Sequence, residues 1–298
     1  MRPVYRAPNG SSFTREELDE QYDIEAAVPD FSAYALRFVR DSARARAELT
    51  CHLDVPYGPT LDERLDVFPG EPGGPVVVFI HGGYWKSLTS AEFSFAARGP
   101  VARGATVVIP TYALCPQVTI DEIVRQHRAA VAWTYRHAAD YGADPERLVV
   151  VGHSAGGHGV AMLLGTPWAG DYGLPQDVVR AGCAISGLFD LRPLPYTFVQ
   201  PDLQLTADQV LRNSPILNLP QSAPPLLVTN GGRQTSEFER QSVDFIAAWQ
   251  AAGLPGEYWA RPSSTTSMRY CPLSSRTASS PSGSSLPSRP EPTGMPRK

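Results

Sequence analysis

Five short stretches of this chain are apolar almost without interruption: Pro75–Ile80, Ala105–Pro110, Arg147–Gly152, Ala181–Ser186 and Pro225–Asn230. Runs rich in Val, Ile and Leu, bounded by glycine and proline, are what strands buried on both faces look like. Such strands need cover above and below. The stretches between them, roughly 91–103, 119–141, 155–165 and 236–252, carry helical patterns that supply it. Alternation at this spacing specifies an α/β fold with a mainly parallel central sheet and helices on both faces. Two further strands precede the series, at His52–Val55 and Arg64–Phe68, and Glu257–Ala260 closes it. Residues 15–47 hold two amphipathic helical patterns broken near Pro29. Residues 187–220 break the rhythm with prolines and aromatics, as a short cap insertion does.

Domain organisation follows from a change of composition. Residues 1–262 read as one domain; from Ser263 to Lys298, Ser, Thr, Pro and Arg replace the apolar periodicity. A segment of that kind buries too little apolar surface to offset chain entropy, so disorder is expected there. The net charge of -4 gives no reason to expect nucleic acid or an anionic membrane as partner. The opening MRPVYRAPNG has no apolar core of a signal peptide, and no run reaches the length of a membrane span. Cys51, Cys115, Cys183 and Cys271 are scattered, as buried thiols in a reducing cytoplasm would be. Monomer and homodimer both stay open.

Two motifs carry chemistry. Gly152-His153-Ser154-Ala155-Gly156 lies between a Val-rich strand and a helical stretch, the setting of a nucleophile elbow. A sharp turn there exposes the Ser154 oxygen above the sheet, and small residues at 152, 155 and 156 let strand and helix approach. His81-Gly82-Gly83-Tyr84-Trp85 follows an earlier strand. The N–H groups of Gly82 and Gly83, with that of Ala155, can hold the oxygen that turns negative during acyl transfer. His81 is read as orienting that loop. Tyr84 and Trp85, with Phe189 and Tyr196, are candidates for a pocket around a planar small-molecule substrate, with core packing as the competing reading for each. No group of metal-ligand spacing occurs, so neither metal nor cofactor is expected.

One part is missing. The histidines lie at 52, 81, 127, 137, 153 and 158, and none follows. A hydrolase of this design takes its base from near the C-terminus, in chain order Ser, acid, His. His153 and His158 are the nearest substitutes, yet no third group places either as a base.

HGGYW, GHSAGGH (152–158), Tyr112–Gln117, Ile185–Asp190 and Ser236–Ser242 together resemble the kynurenine formamidase (arylformamidase) branch of the α/β-hydrolase superfamily, over about residues 15–262. The resemblance implies metal-free hydrolysis of N-formyl-L-kynurenine to formate and L-kynurenine, with Ser154 as nucleophile and Gly82, Gly83 and Ala155 as oxyanion hole. Two departures stand out. At the family's acid position the chain has Gln234, which cannot stabilise an imidazolium as a carboxylate does; Glu237 is a weak substitute that reads first as a helix-start residue. Where the family carries an Asn-His-Phe-like segment, this chain has Ser263–Met268.

Synonymous codons for Ser263–Cys271 exist that read Leu-Asn-His-Phe-Asp-Ala-Val-Leu in a neighbouring frame, with the histidine straddling 265 and 266. The sequence is thus compatible with a frameshift near 260–263, natural or a sequencing error, and that is the expectation for the missing base. As written, the chain is expected to be catalytically impaired and poorly soluble, since the lost C-terminal helix would have covered one face of the sheet. The alternatives are a carboxylesterase on small aryl esters and a catalytically dead hydrolase fold.

Overall fold

In the computed structural model, which describes residues 2–28, 30–232 and 234–260, a run of backbone-paired strands crosses the molecule edge to edge. After a small hairpin, β1 (Tyr5–Arg6) and β2 (Ser12–Phe13), come β3 (His52–Pro56), β4 (Arg64–Phe68), β5 (Val76–Ile80), β6 (Thr106–Pro110), β7 (Leu148–His153), β8 (Ala181–Ile185), β9 (Leu226–Asn230) and β10 (Gly256–Ala260). Eight of them form one sheet in the order β10-β9-β8-β7-β5-β6-β4-β3. β3, β4 and β6 pair antiparallel, and the pairs from β6 through β10 are parallel. All five runs expected as central strands are strands, each within a residue of its anticipated bounds. The described residues belong to one compact unit; the tail from 263 and the helix break at Pro29 lie outside them.

The helices are α1 (Arg15–Tyr22), α2 (Ile24–Ala27), α3 (Phe31–Glu48), α4 (Arg98–Val101), α5 (Ile120–His137), α6 (Ala155–Leu164), α7 (Trp168–Tyr172), α8 (Gln200–Leu203), α9 (Ala207–Arg212) and α10 (Ser236–Ala251). The stretch expected as one helix over 91–103 is a 3-10 turn at Ser90–Ala97 followed by α4. Pro100 sits in the first turn of α4, where its missing N–H is tolerated, and in one continuous helix it could not donate to Ala96. The strand order reverses at β5, so right-handed crossovers put α4 on one face and α5, α6 and α10 on the other.

Glycines report how closely the α6 face is packed. A Cβ on Gly182 would sit 2.8 Å from Leu164 of α6, and one on Gly256 would sit 2.8 Å from Ile246 of α10. The alternate residues of these strands face the opposite way. There Ala181 and Leu227 are half-buried, and Trp259 on the edge strand β10 is exposed. That apolar row is the face the sequence expects a further helix to cover.

The segment 187–220, expected from the sequence as a cap insertion, carries short helices, and its ion pairs and hydrogen bonds tie it to three neighbours. Arg212 binds Asp121 of α5 through two nitrogens (2.7 and 2.8 Å), Asn213 O accepts from His158 Nε2 of α6 (2.8 Å), and Gln241 Oε1 of α10 accepts from the N–H of Phe189 and Asp190.

Candidate active site

β7 runs into α6 through a single strained residue. Ser154 has φ 56° and ψ -119°, a conformation L-residues rarely adopt, and it is 3 % exposed. Its N–H donates to Ile185 O (2.8 Å) and its carbonyl accepts from His158 N (3.1 Å), so the neighbouring strand β8 and the first turn of α6 hold it. The turn exists only because its neighbours lack side chains. A Cβ on Gly152 would fall 2.1 Å from Gly156 O, and one on Gly156 would fall 2.0 Å from Ile80 O. The small-residue pattern of the elbow is thus a packing requirement.

The loop after β5 meets the elbow directly. A Cβ on Gly82 would lie 3.0 Å from Ser154 Cβ. Gly83 (φ 117°), Tyr84 (φ 48°) and Trp85 (φ 56°) then form a run of left-handed residues, curling the chain so that Lys86 and Ser87 N–H both donate to Gly83 O. Strain of this kind is held only where surrounding structure over-determines it. Here His81 contributes: its Nδ1 meets Gly82 O (2.7 Å), and its ring stacks on Tyr112 at 4.2 Å.

Among the described residues, the N–H groups of Gly82, Gly83 and Ala155 donate no hydrogen bond. Donors left open beside a serine, at the positive end of α6, form an anion-binding pole. Such a pole can stabilise a tetrahedral oxyanion.

No histidine completes it. His52 is exposed and packs its edge on Tyr141; His137 stacks on Trp133 and pairs with Asp140. His127 is buried with neither ring nitrogen partnered, and burial drives its pKa well below the usual range. His158 is spent on Asn213 O and on the edge of Trp85 (5.1 Å). His153, half-buried, keeps Nδ1 enclosed and unpartnered. Burial lowers His81, His153 and His158 alike to about 4. Among the described residues none of the six brings a ring nitrogen into hydrogen-bond contact with the Ser154 hydroxyl.

On the acid side, Gln234 Oε1 accepts from Gly231 N–H (2.9 Å) and from the Ser186 hydroxyl (2.8 Å). Ser186 follows Ile185, whose carbonyl fixes Ser154, so Gln234 sits one link from the elbow. Glu237 does not approach it as a substitute acid. Its carboxylate is buried against Arg240 Nε and Nη2 (2.7 and 2.8 Å) and accepts from the Tyr22 hydroxyl (3.0 Å).

The aromatic wall needs correction. Trp85 and Phe189 have no accessible surface, and Phe189 is stacked on Phe245 at 4.1 Å, so both belong to the core and offer no wall to a ligand. Tyr84 is also buried, its hydroxyl donating to Tyr22 O (2.6 Å). Of the four, only Tyr196 is exposed, and its neighbour Phe198, which sequence reasoning passed over, is exposed as well.

Sequence reasoning also passed over the end of α1. The Gln21 carbonyl accepts from the Thr235 hydroxyl and its Oε1 from the Ser236 hydroxyl and Glu237 N–H, while the Tyr22 carbonyl accepts from the Tyr84 hydroxyl. One dipeptide therefore fastens the loop after β9 and the loop after β5. Nothing in its local sequence signals this. Of the cysteines, Cys115 and Cys183 are buried, Cys51 is half-buried, and Cys271 lies outside the described residues.

Comparison with known proteins agrees with this geometry. Residues 68–182 match the BD-FAE family model. The chain is 32 % identical over 257 residues to the kynurenine formamidase of Danio rerio, covering 82 % of this chain and 86 % of that protein. It is 33 % identical over 252 residues to that of Salmo salar, covering 82 % and 84 %. Among solved structures, a candidate thioesterase from Silicibacter sp. superposes with a TM-score of 0.69 at 30 % identity, covering 82 % of this chain and 90 % of that one. No helix of the described residues is long and apolar enough to cross a membrane.

Proposed function

This chain belongs to the kynurenine formamidase family of α/β hydrolases, and from that premise we propose that Ser154 is its nucleophilic serine and an aryl formamide of the N-formyl-L-kynurenine type its natural substrate. In that reaction the serine oxygen adds to the formyl carbon and the carbonyl oxygen becomes an oxyanion. The C–N bond then breaks, releasing L-kynurenine, and water removes the formyl group as formate. The N–H groups of Gly82, Gly83 and Ala155 receive the oxyanion. The observation that carries the reading is that these three donors stand open around a strained serine.

The same reading assigns the chain very low turnover. Ser154 must lose a proton and the aniline nitrogen must gain one, and none of the six histidines is placed to move it. Loss of the base in a serine triad lowers turnover on the order of 10⁶-fold. An aryl ester is the better residual substrate, because a phenolate leaves without protonation. The setting we assign is cytoplasmic, in keeping with the scattered cysteines.

The test has two arms. Sequencing the coding DNA from about codon 250 to the stop reveals whether an indel restores Asn-His-Phe. Turnover of N-formylkynurenine and of phenyl acetate is then compared for the chain as written, the repaired chain and its Ser154→Ala variant. Formamide turnover that appears on repair and vanishes with Ser154→Ala supports the proposal. Equal, serine-independent turnover in all three sinks it.

A further inference from the structure

Lys86 and Lys298 are the only lysines of the chain, and Lys86 lies on the oxyanion loop itself. The left-handed run at Gly83–Trp85 folds it back so that its N–H donates to Gly83 O (3.0 Å), which places its backbone one turn from the proposed oxyanion donors. Its side chain does not extend freely into solvent. The ammonium pairs with Asp202 of α8 at 2.5 Å and lies 5.8 Å from the centre of the Phe198 ring.

Phe198 is itself fixed from elsewhere. Phe198 N–H donates to Asp19 of α1 (2.5 Å), and the Phe198 ring meets Tyr84 edge-on at 6.2 Å. The three side chains thus make a rim between oxyanion loop and cap, with an anion, a cation and an aromatic face side by side. All three keep solvent contact: side-chain exposure is 29 % for Lys86 and 42 % for Asp202, and Phe198 is 37 % exposed. Exposed pairs of this kind contribute little to stability, so the pair opens readily.

A rim with one positive and one negative group matches a ligand with one of each. We propose that Lys86 and Asp202 are the subsite for the charged amino-acid end of the substrate. Lys86 takes the α-carboxylate, Asp202 takes the α-ammonium, and Phe198 lies against the chain that links them to the aryl ring. Insertion of the zwitterion exchanges one exposed ion pair for two. The inference rests on the formamide reading above and adds to it a reason for preferring an amino-acid aryl formamide over a neutral one.

Slow turnover makes the test a direct binding measurement on the full chain. Calorimetry is run with N-formyl-L-kynurenine and with 2-formamidoacetophenone, which keeps the aryl formamide and lacks the amino-acid end. The wild-type chain is expected to bind the amino acid more tightly. Lys86→Met and Asp202→Asn should each weaken it about tenfold, the scale of a hydrogen bond to a charged group. Binding of the neutral ketone should stay unchanged, which also certifies that the variants are folded. Equal weakening of both ligands would mean that the pair only clamps the cap, and overturns the subsite. So does equal wild-type affinity for the two ligands, while the aryl formamide reading survives. Binding of neither overturns both.

Discussion

Replacing Arg240 with Met tests whether the ion cluster at the start of α10 holds the described fold together. The guanidinium is 5 % exposed and serves three carboxylates: Glu237 at 2.7 Å, Asp244 at 3.0 Å and Asp190 at 3.6 Å. Glu237 and Asp190 are themselves 2 % and 1 % exposed. Breaking a buried pair from one side costs about 3–5 kcal/mol, because the surviving charge is left without a partner or water. We expect the low end, about 3 kcal/mol, since Arg192 still holds Asp190 through two bonds (2.8 and 2.9 Å) and the Tyr22 hydroxyl still donates to Glu237. For a domain of this size that lowers Tm by roughly 6–12 °C. Adding Glu237→Gln removes the stranded charge, so the double variant should be more stable than the sum of the single losses by about 2 kcal/mol. Urea unfolding of the four proteins closes the cycle. Additive losses would show that Arg240 and Glu237 do not depend on each other, and would refute the account of Glu237 as a structural partner.

Three further outcomes follow from the geometry. Gly156→Ala puts a methyl 2.0 Å from the Ile80 carbonyl; overpacking against backbone should cost about 2–3 kcal/mol in urea, and an unchanged midpoint would contradict the close approach. His81 and His158 are buried with pKa values of about 4, against 6.5 when unfolded, and burial holds His127 well below its usual value too. The unfolded chain therefore binds protons first as pH falls, so stability is full above about 6.5 and declines toward 4; a flat urea midpoint between pH 7 and 4 would exclude this. In a chain with its reading frame repaired, Gln234→Asp should raise formamide turnover at least tenfold by supplying the charge that orients an imidazolium, and a lower rate would move the acid elsewhere.

The central strands were legible because each is covered on both faces, which leaves an unbroken apolar run in the sequence. The elbow was legible for a related reason: close backbone approach at 152 and 156 demands glycine. The pocket was not. Trp85 and Phe189 look the same in sequence whether they line a cavity or fill a core, and only their zero exposure decides it. Lys86, Phe198 and Asp202 went unseen because they meet between a loop and short cap helices, where no periodicity connects them. Tyr22 went unseen because it reaches Glu237 and Tyr84 only through the tertiary fold.

The conformation of Ser154 also bears on the history of the chain. Holding a serine at φ 56° is unfavourable by about 1–3 kcal/mol, and the glycines at 152 and 156 lose more backbone freedom on folding than any other residue would. A lineage released from the need to turn over substrate gains stability by letting such a turn relax, and most routes to that gain are single substitutions. Here the strain and its supporting glycines are intact while no histidine stands behind them. On the frameshift reading proposed above, the intact elbow implies an event recent compared with the interval over which drift would have blunted the turn.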